Sequence, residues 1–149
     1  MSFAAGIIPY TIINRQPYFL LGLETSNNKW SGFVGNSEPG ENPINTAFRE
    51  FTEETAMVFD YAKDYIQSEI LTNHPVTELT ATGKIVYLWF VKFPEKANFS
   101  QFYKNKSKLD GAYFKEKSEL CWFSLSGIEN KNVLYKLKKT ILKNFNLQL

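Results

Sequence analysis

The chain has 149 residues, 44% hydrophobic and 21% charged, which suits one ordinary domain with its own core and supports neither a disordered nor a membrane reading. A formal net charge of +2 is too small to announce a polyanion or a membrane surface as the partner, so any anion-binding site must be local. Its one cysteine, Cys121, rules out an intrachain disulfide and fits a reducing compartment; between Leu120 and Trp122 it reads as a small buried hydrophobe.

The N-terminus "MSFAAGIIPYTIINR" is apolar, but it lacks a basic leader and is cut by Pro9 and Arg15 before it can span a bilayer. A cytoplasmic protein without membrane contact is therefore expected. "GIIPYTII" and "YFLLGLE" are rich in strand-forming residues and are separated by "NRQP", which predicts a β-hairpin. "TSNNK" is a polar loop, and Gly32, Gly35, Pro39, Gly40 and Pro43 punctuate the next stretch densely enough to predict an irregular loop. A helix should follow, with Asn42 as N-cap and Pro43 in the first turn, where its missing N–H is not needed.

Beyond that helix, "YIQSEIL" and "GKIVYLWFVKF" read as strands joined by the loop "TNHPVTELTAT". "PEKANFSQFYKNKSKLDGAYFKEKSE" is polar, lysine-rich and without sustained periodicity, hence a long excursion, and "LCWFSL" should return to the sheet. Val133, Leu134, Leu137, Ile141, Leu142 and Phe145 recur at helical spacing and predict a closing amphipathic helix. The order predicts a single mixed α/β domain over residues 1–149.

The stretch "GNSEPGENPINTAFREFTEETAM" carries the chemistry. At about 100° per residue, Glu50, Glu53 and Glu54 share one face of the predicted helix, beside an apolar stripe of Ile44, Ala47, Phe51 and Val58. Like charges at these spacings oppose helix formation by a few tenths of a kcal/mol per pair, and a divalent cation would relieve them. Mg²⁺ is a hard ion that takes carboxylates, waters and substrate phosphates as ligands. Arg49 stands where its fork can reach Glu53 and Glu41 and order the acidic cluster.

Gly35, then five residues, Glu41, then seven residues, and "REFTEETAM" resemble the Nudix box. The resemblance implies a Nudix-type α/β/α sandwich with a mixed β-sheet flanked by helices. It also implies metal-dependent hydrolysis of the diphosphate linkage in a nucleoside diphosphate joined to another group, by attack of water on phosphorus. Glu50, Glu53 and Glu54, with the Gly35 carbonyl, would then hold Mg²⁺ or Mn²⁺. Glu53, Glu54 and Arg49 would carry the catalysis, with Arg49 and Glu41 holding the box in shape. Members of the family often place a further glutamate outside the box, and Glu119 is the first candidate for it, ahead of Glu116 and Glu78. Two positions depart from the pattern. Ala56 stands where the family has glycine, a small change if the residue lies in a helix. Phe33-Val34 precede Gly35 where many members have Pro-Gly, which alters the backbone angles open to the loop.

Other residues carry two readings each. Glu38 touches metal or substrate, or is merely solvated. Trp30 is a hydrophobic plug or a wall on which a base stacks. His74, the single histidine, is a general base or a solvated loop residue. Lys104, Lys106, Lys108, Lys115 and Lys117, interleaved with Phe102, Tyr103, Tyr113 and Phe114, form either a phosphate- and base-binding surface or a soluble loop anchored by its rings. The alternatives to a small-molecule diphosphohydrolase are a non-catalytic module of the same fold that binds a nucleotide or a protein, and a hydrolase of capped or 5′-phosphorylated RNA.

Overall fold

The computed structural model describes residues 2–109 and 116–145. The predicted hairpin is present as β1 (Ala4–Ile13) and β2 (Gln16–Glu24), paired antiparallel from Tyr10–Phe19 to the turn at Asn14-Arg15, both of which take positive φ. The glycine-rich stretch is irregular only in its second half, residues 37–42. It forms β3 (Trp30–Ser31) and β4 (Phe33–Asn36), which enter the wedge where β1 and β2 diverge, β3 pairing with β2 and β4 with β1. Short strands of this kind leave no sustained alternation in sequence, so the punctuation around them dominates the reading. Val34 therefore lies in extended backbone that valine favours, and nothing there requires a glycine.

Helix α1 (Pro43–Glu54) starts as expected: Asn42 caps it by accepting the Asn45 N–H at 2.8 Å, with Pro43 in the first turn. Its end differs from expectation. Ala56 and Met57 lie beyond the helix with φ of 51° and 60°. The Ala56 N–H bonds the Glu53 carbonyl and the Met57 N–H the Thr52 carbonyl, the pair of bonds that closes a helix through a left-handed residue. Ala56 is thus not a favourable helical alanine but a buried left-handed one, at the position that glycine fills without steric cost.

A 3-10 turn (Asp60–Ala62) leads into α2 (Lys63–Thr72). This overturns the strand expected at "YIQSEIL". Ile66 and Ile70, four apart, are the buried residues of the segment, and a helix places both on one face whereas a strand would bury alternate residues. The expected loop instead contains β5 (Val76–Leu79), an edge strand antiparallel to β6 (Ile85–Lys92). The excursion contains α3 (Phe102–Lys108), while Lys115, Tyr113 and Phe114 lie outside the described residues. Then come β7 (Lys117–Ser124), α4 (Leu125–Asn130), which the sequence reading missed, and the expected closing helix α5 (Tyr135–Phe145).

The strands join in a mixed seven-stranded sheet in which β1 and β6 are parallel and the other pairings antiparallel. Alternate residues feed two cores. Ile7, Leu20, Trp89 and Val91 point towards α1 and α2, while Ile8, Phe19, Leu21 and Leu88 point towards α4 and α5. The result is an α/β/α sandwich, and no helix among the described residues is long and apolar enough to cross a membrane.

Candidate metal centre

The inner face of α1 changes character along its length. Ala47 and Phe51 pack into the first core, with the Phe51 ring edge-on to Phe33, and the same face continues into Glu50 and Glu54, which are also buried. Burying Phe51 is worth about 2 kcal/mol, so core packing fixes the rotation of the helix and carries two carboxylates inward. Gly35 on β4 receives the first of them. A Cβ there would lie 2.1 Å from the Glu50 Cδ, so only glycine lets the carboxylate settle against the strand.

Arg49 joins the elements around this point. Its Nε and Nη2 donate to the two oxygens of Glu41 at 2.7 and 3.0 Å, and Nη2 also donates to the Asn36 carbonyl at 2.9 Å. Its Nη1 donates to Glu50 at 2.9 Å and to Glu53 at 3.3 Å. The guanidinium thereby ties the loop before α1, the end of β4 and two of the box glutamates together. It holds the Glu41 carboxyl down to about 2, and the carboxylates around it raise the Arg49 pKa further above its ordinary value.

Carboxylate oxygens of Glu50, Glu54 and Glu116 lie within 4.8 Å of one another. Burial pushes the Glu54 carboxyl well above the usual range; Lys117 opposes the rise, and Glu50 and Glu116 add to it. Burial likewise raises Glu50 against the pull of Arg49, and raises Glu116 with help from Glu53. The Glu54 Oε2 is buried without a hydrogen-bond partner among the described residues. An all-oxygen donor set, crowded until its charged forms are disfavoured and ending in an orphaned oxygen, fits a hard divalent cation. Glu50, Glu54 and Glu116 are the residues that would hold it.

The other residues singled out by sequence fall in different places. Glu53 is half-buried beside Arg49. Glu38 is exposed at 3.7 Å from Arg49, and its backbone N–H bonds Glu41. Glu119 does not reach the cluster. It pairs with Leu23 on the sheet face that carries Leu21 and Cys121, away from α1. Glu116, one strand position before β7, comes to the site instead. Trp30 packs edge-on to Phe123 in the second core, in line with the plug reading. Glu78 accepts a 2.5 Å hydrogen bond from Thr140, and His74 is an exposed loop residue. Sequence reasoning put Lys117 in the basic excursion and missed its place in the acidic site. It is buried against Glu54 and Ser31, and no residue spacing reveals this because the placement depends on an irregularity in the β2–β7 pairing.

One cavity adjoins the centre, and a second borders the first. The first, polar and of about 300 Å³, is lined by Glu24, Thr25, Glu54, Glu116 and Lys117. The second, apolar and of about 290 Å³, is lined by Leu79, Val86, Leu88, Leu134 and Leu137 and shares Glu24 and Val34 with it.

No protein-family model and no curated protein sequence matches the chain. Solved structures do. An Ap4A hydrolase from C. elegans, in a binary complex, is 19% identical with a TM-score of 0.65 over 97% of this chain and 96% of that one. A NUDIX-family hydrolase from Clostridium perfringens is 17% identical with a TM-score of 0.62, covering 99% and 97%. The NUDIX domain of Shewanella oneidensis NrtR, in complex with ADP ribose, is 12% identical with a TM-score of 0.62, covering 99% and 88%. With the box in its sequence and this sandwich in three dimensions, the chain is a Nudix-fold protein.

Proposed function

We propose that the chain is a metal-dependent Nudix hydrolase, acting as one domain, that cleaves the diphosphate linkage of a nucleoside diphosphate joined to a second group. The observation that carries this reading is the convergence of Glu50, Glu54 and Glu116 around an unpartnered, buried Glu54 oxygen. When bound, Mg²⁺ or Mn²⁺ neutralises charge on the diphosphate and lowers the pKa of water, which makes attack on phosphorus feasible near neutral pH. Glu50 and Glu54 would hold the ion on a helix fixed by its core face, and Glu116, just before β7, would close the set. Arg49 orients Glu50 and Glu53 through the bonds that also anchor Glu41. Glu53, half-buried and held by Arg49, is the box carboxylate outside the converging set and would serve to order water. The polar cavity accommodates the diphosphate and the apolar cavity a nucleoside.

Similarity to an Ap4A hydrolase and to a domain bound to ADP ribose supports a nucleotide-type substrate. Of the α3 lysines, Lys106 adds nothing to the RNA reading, since it donates to the Lys117 carbonyl at 2.6 Å and lies over the Phe102 ring; Lys104 and Lys108 are exposed.

The test is hydrolysis of a panel of nucleoside triphosphates, ADP ribose, dinucleoside polyphosphates and capped RNA with Mg²⁺, Mn²⁺ or EDTA. Glu54→Gln should keep the fold by circular dichroism and lose activity by about 10²-fold or more. Tight nucleotide binding with no metal-stimulated turnover by the wild type would replace hydrolysis with a binding role.

A further inference from the structure

A lysine side chain that is 1% exposed is rare, and the catalytic reading above gives this one no task. The Lys117 ammonium donates a hydrogen bond to the Ser31 hydroxyl and lies 3.6 Å from Glu54 Oε1 and 3.7 Å from Glu24 Oε2. Ser31 in turn donates to the same Glu24 oxygen at 2.6 Å, and Asn27 holds the other Glu24 oxygen at 2.6 Å. Two carboxylates and a hydroxyl around one point make the donor set of a hard cation. Here the chain's own ammonium fills it.

The backbone is arranged to deliver that ammonium. Glu24 pairs with Lys117 but Leu23 pairs with Glu119, so Ser118 is an extra residue in β7. This bulge turns Lys117 towards α1 and leaves Glu119 on the opposite face. Gly22 makes room for the stem, since a Cβ there would lie 2.7 Å from the Lys117 Cδ. The Lys106 ammonium then bonds the Lys117 carbonyl and secures the bulge.

We propose that Lys117 is a fixed cation of the acidic site, occupying the position between Glu24 and Glu54 that a further divalent ion would otherwise take. The inference rests on the metal-centre reading above and adds a limit to it: divalent ions bind only on the side formed by Glu50, Glu54 and Glu116. Glu54 is the wall between the two positions. Its Oε1 lies 3.6 Å from the ammonium, while its Oε2 accepts no hydrogen bond among the described residues. A second ion on the Glu24 side would meet both the ammonium charge and its volume.

The number of Mn²⁺ ions bound per chain tests this directly, by titration with the free ion followed by electron paramagnetic resonance. Lys117→Ala vacates the position while leaving its oxygen ligands, and should bind one ion more than the wild type. Adding Glu24→Gln to Lys117→Ala should restore the wild-type number. Glu24→Gln alone, which leaves the Glu54 pairing in place, should keep the wild-type number; Lys117→Ser, which sets a small hydroxyl ligand in place of the ammonium, should also bind one ion more and serves where Lys117→Ala fails to fold by circular dichroism. An unchanged number in folded Lys117→Ala or Lys117→Ser, or an ion lost in Glu24→Gln, overturns the proposal. A wild type that binds no Mn²⁺ overturns both this inference and the metal centre, whereas Mn²⁺ binding that is blind to Lys117 overturns this one alone.

Discussion

Two residues show how closely single atoms set this site. Gly35 is the contact surface of Glu50, and a methyl group there would occupy the carboxylate's own position. Gly35→Ala should displace Glu50, lower turnover by about 10²-fold as a displacement of an ångström would, and cost about 1–3 kcal/mol of stability from overpacking. Steady-state kinetics with urea unfolding measure both, and wild-type values would refute the contact. Glu41 shows the electrostatic side. Its carboxyl is held at about 2 instead of 4.5, with the Arg49 hydrogen bonds as the main cause. A depressed carboxyl contributes stability that is complete above the unfolded value of 4.5 and is lost as pH falls through the folded value near 2. Glu41→Gln should therefore be less stable than the wild type by about 2 kcal/mol at pH 6, with the gap closing between pH 4.5 and 2. A gap independent of pH would show that Glu41 acts by shape and not by charge. Lys117 is the residue no reading of spacing could place. Its burial depends on a bulge, on Gly22 and on Glu24, three features from two distant strands.

At the scale of elements, the sequence is most readable where one force dominates. In α1 the cap, the proline and the apolar stripe agree, and Asn42→Ala should lower stability by about 1 kcal/mol in urea unfolding. No loss would mean that the proline and the core face alone define the start of the helix. In α2 two signals compete: Tyr65, Ile66 and Ile70 suggest a strand by type, but the spacing of the two isoleucines matches one helical face, and burial against the first core decides. The end of α1 was misread for another reason. The residue pattern gives no sign that Ala56 is past the helix, because the left-handed turn is set by where Val58 and Phe59 must pack. Glu50 and Glu54 were legible because type and spacing put them on one face of one helix, whereas Glu53, expected beside them, is not among the converging carboxylates. The last member of the cluster was not legible, since Glu116 and Glu119 are equally plausible by distance along the chain and only the register of β7 separates them.

On the scale of the whole molecule, β1 has partners from across the chain. It binds β4 and β2 on one edge and, in parallel, β6 on the other, which pairs Ala4 with Val86. The outer edge of β2 is covered by β7, with Tyr18 opposite Ser124. Pairings separated by such lengths of chain close slowly, because the loop entropy is lost before the contacts form. Synthesis adds an order to this. Until β6 and β7 leave the ribosome, β1 and β2 present open edges and the two box glutamates of α1 have no strand to close their set. The newborn chain thus lacks its third carboxylate and is prone to mispair over most of its length, and it acquires Glu116 together with the strand that covers the outer edge of β2.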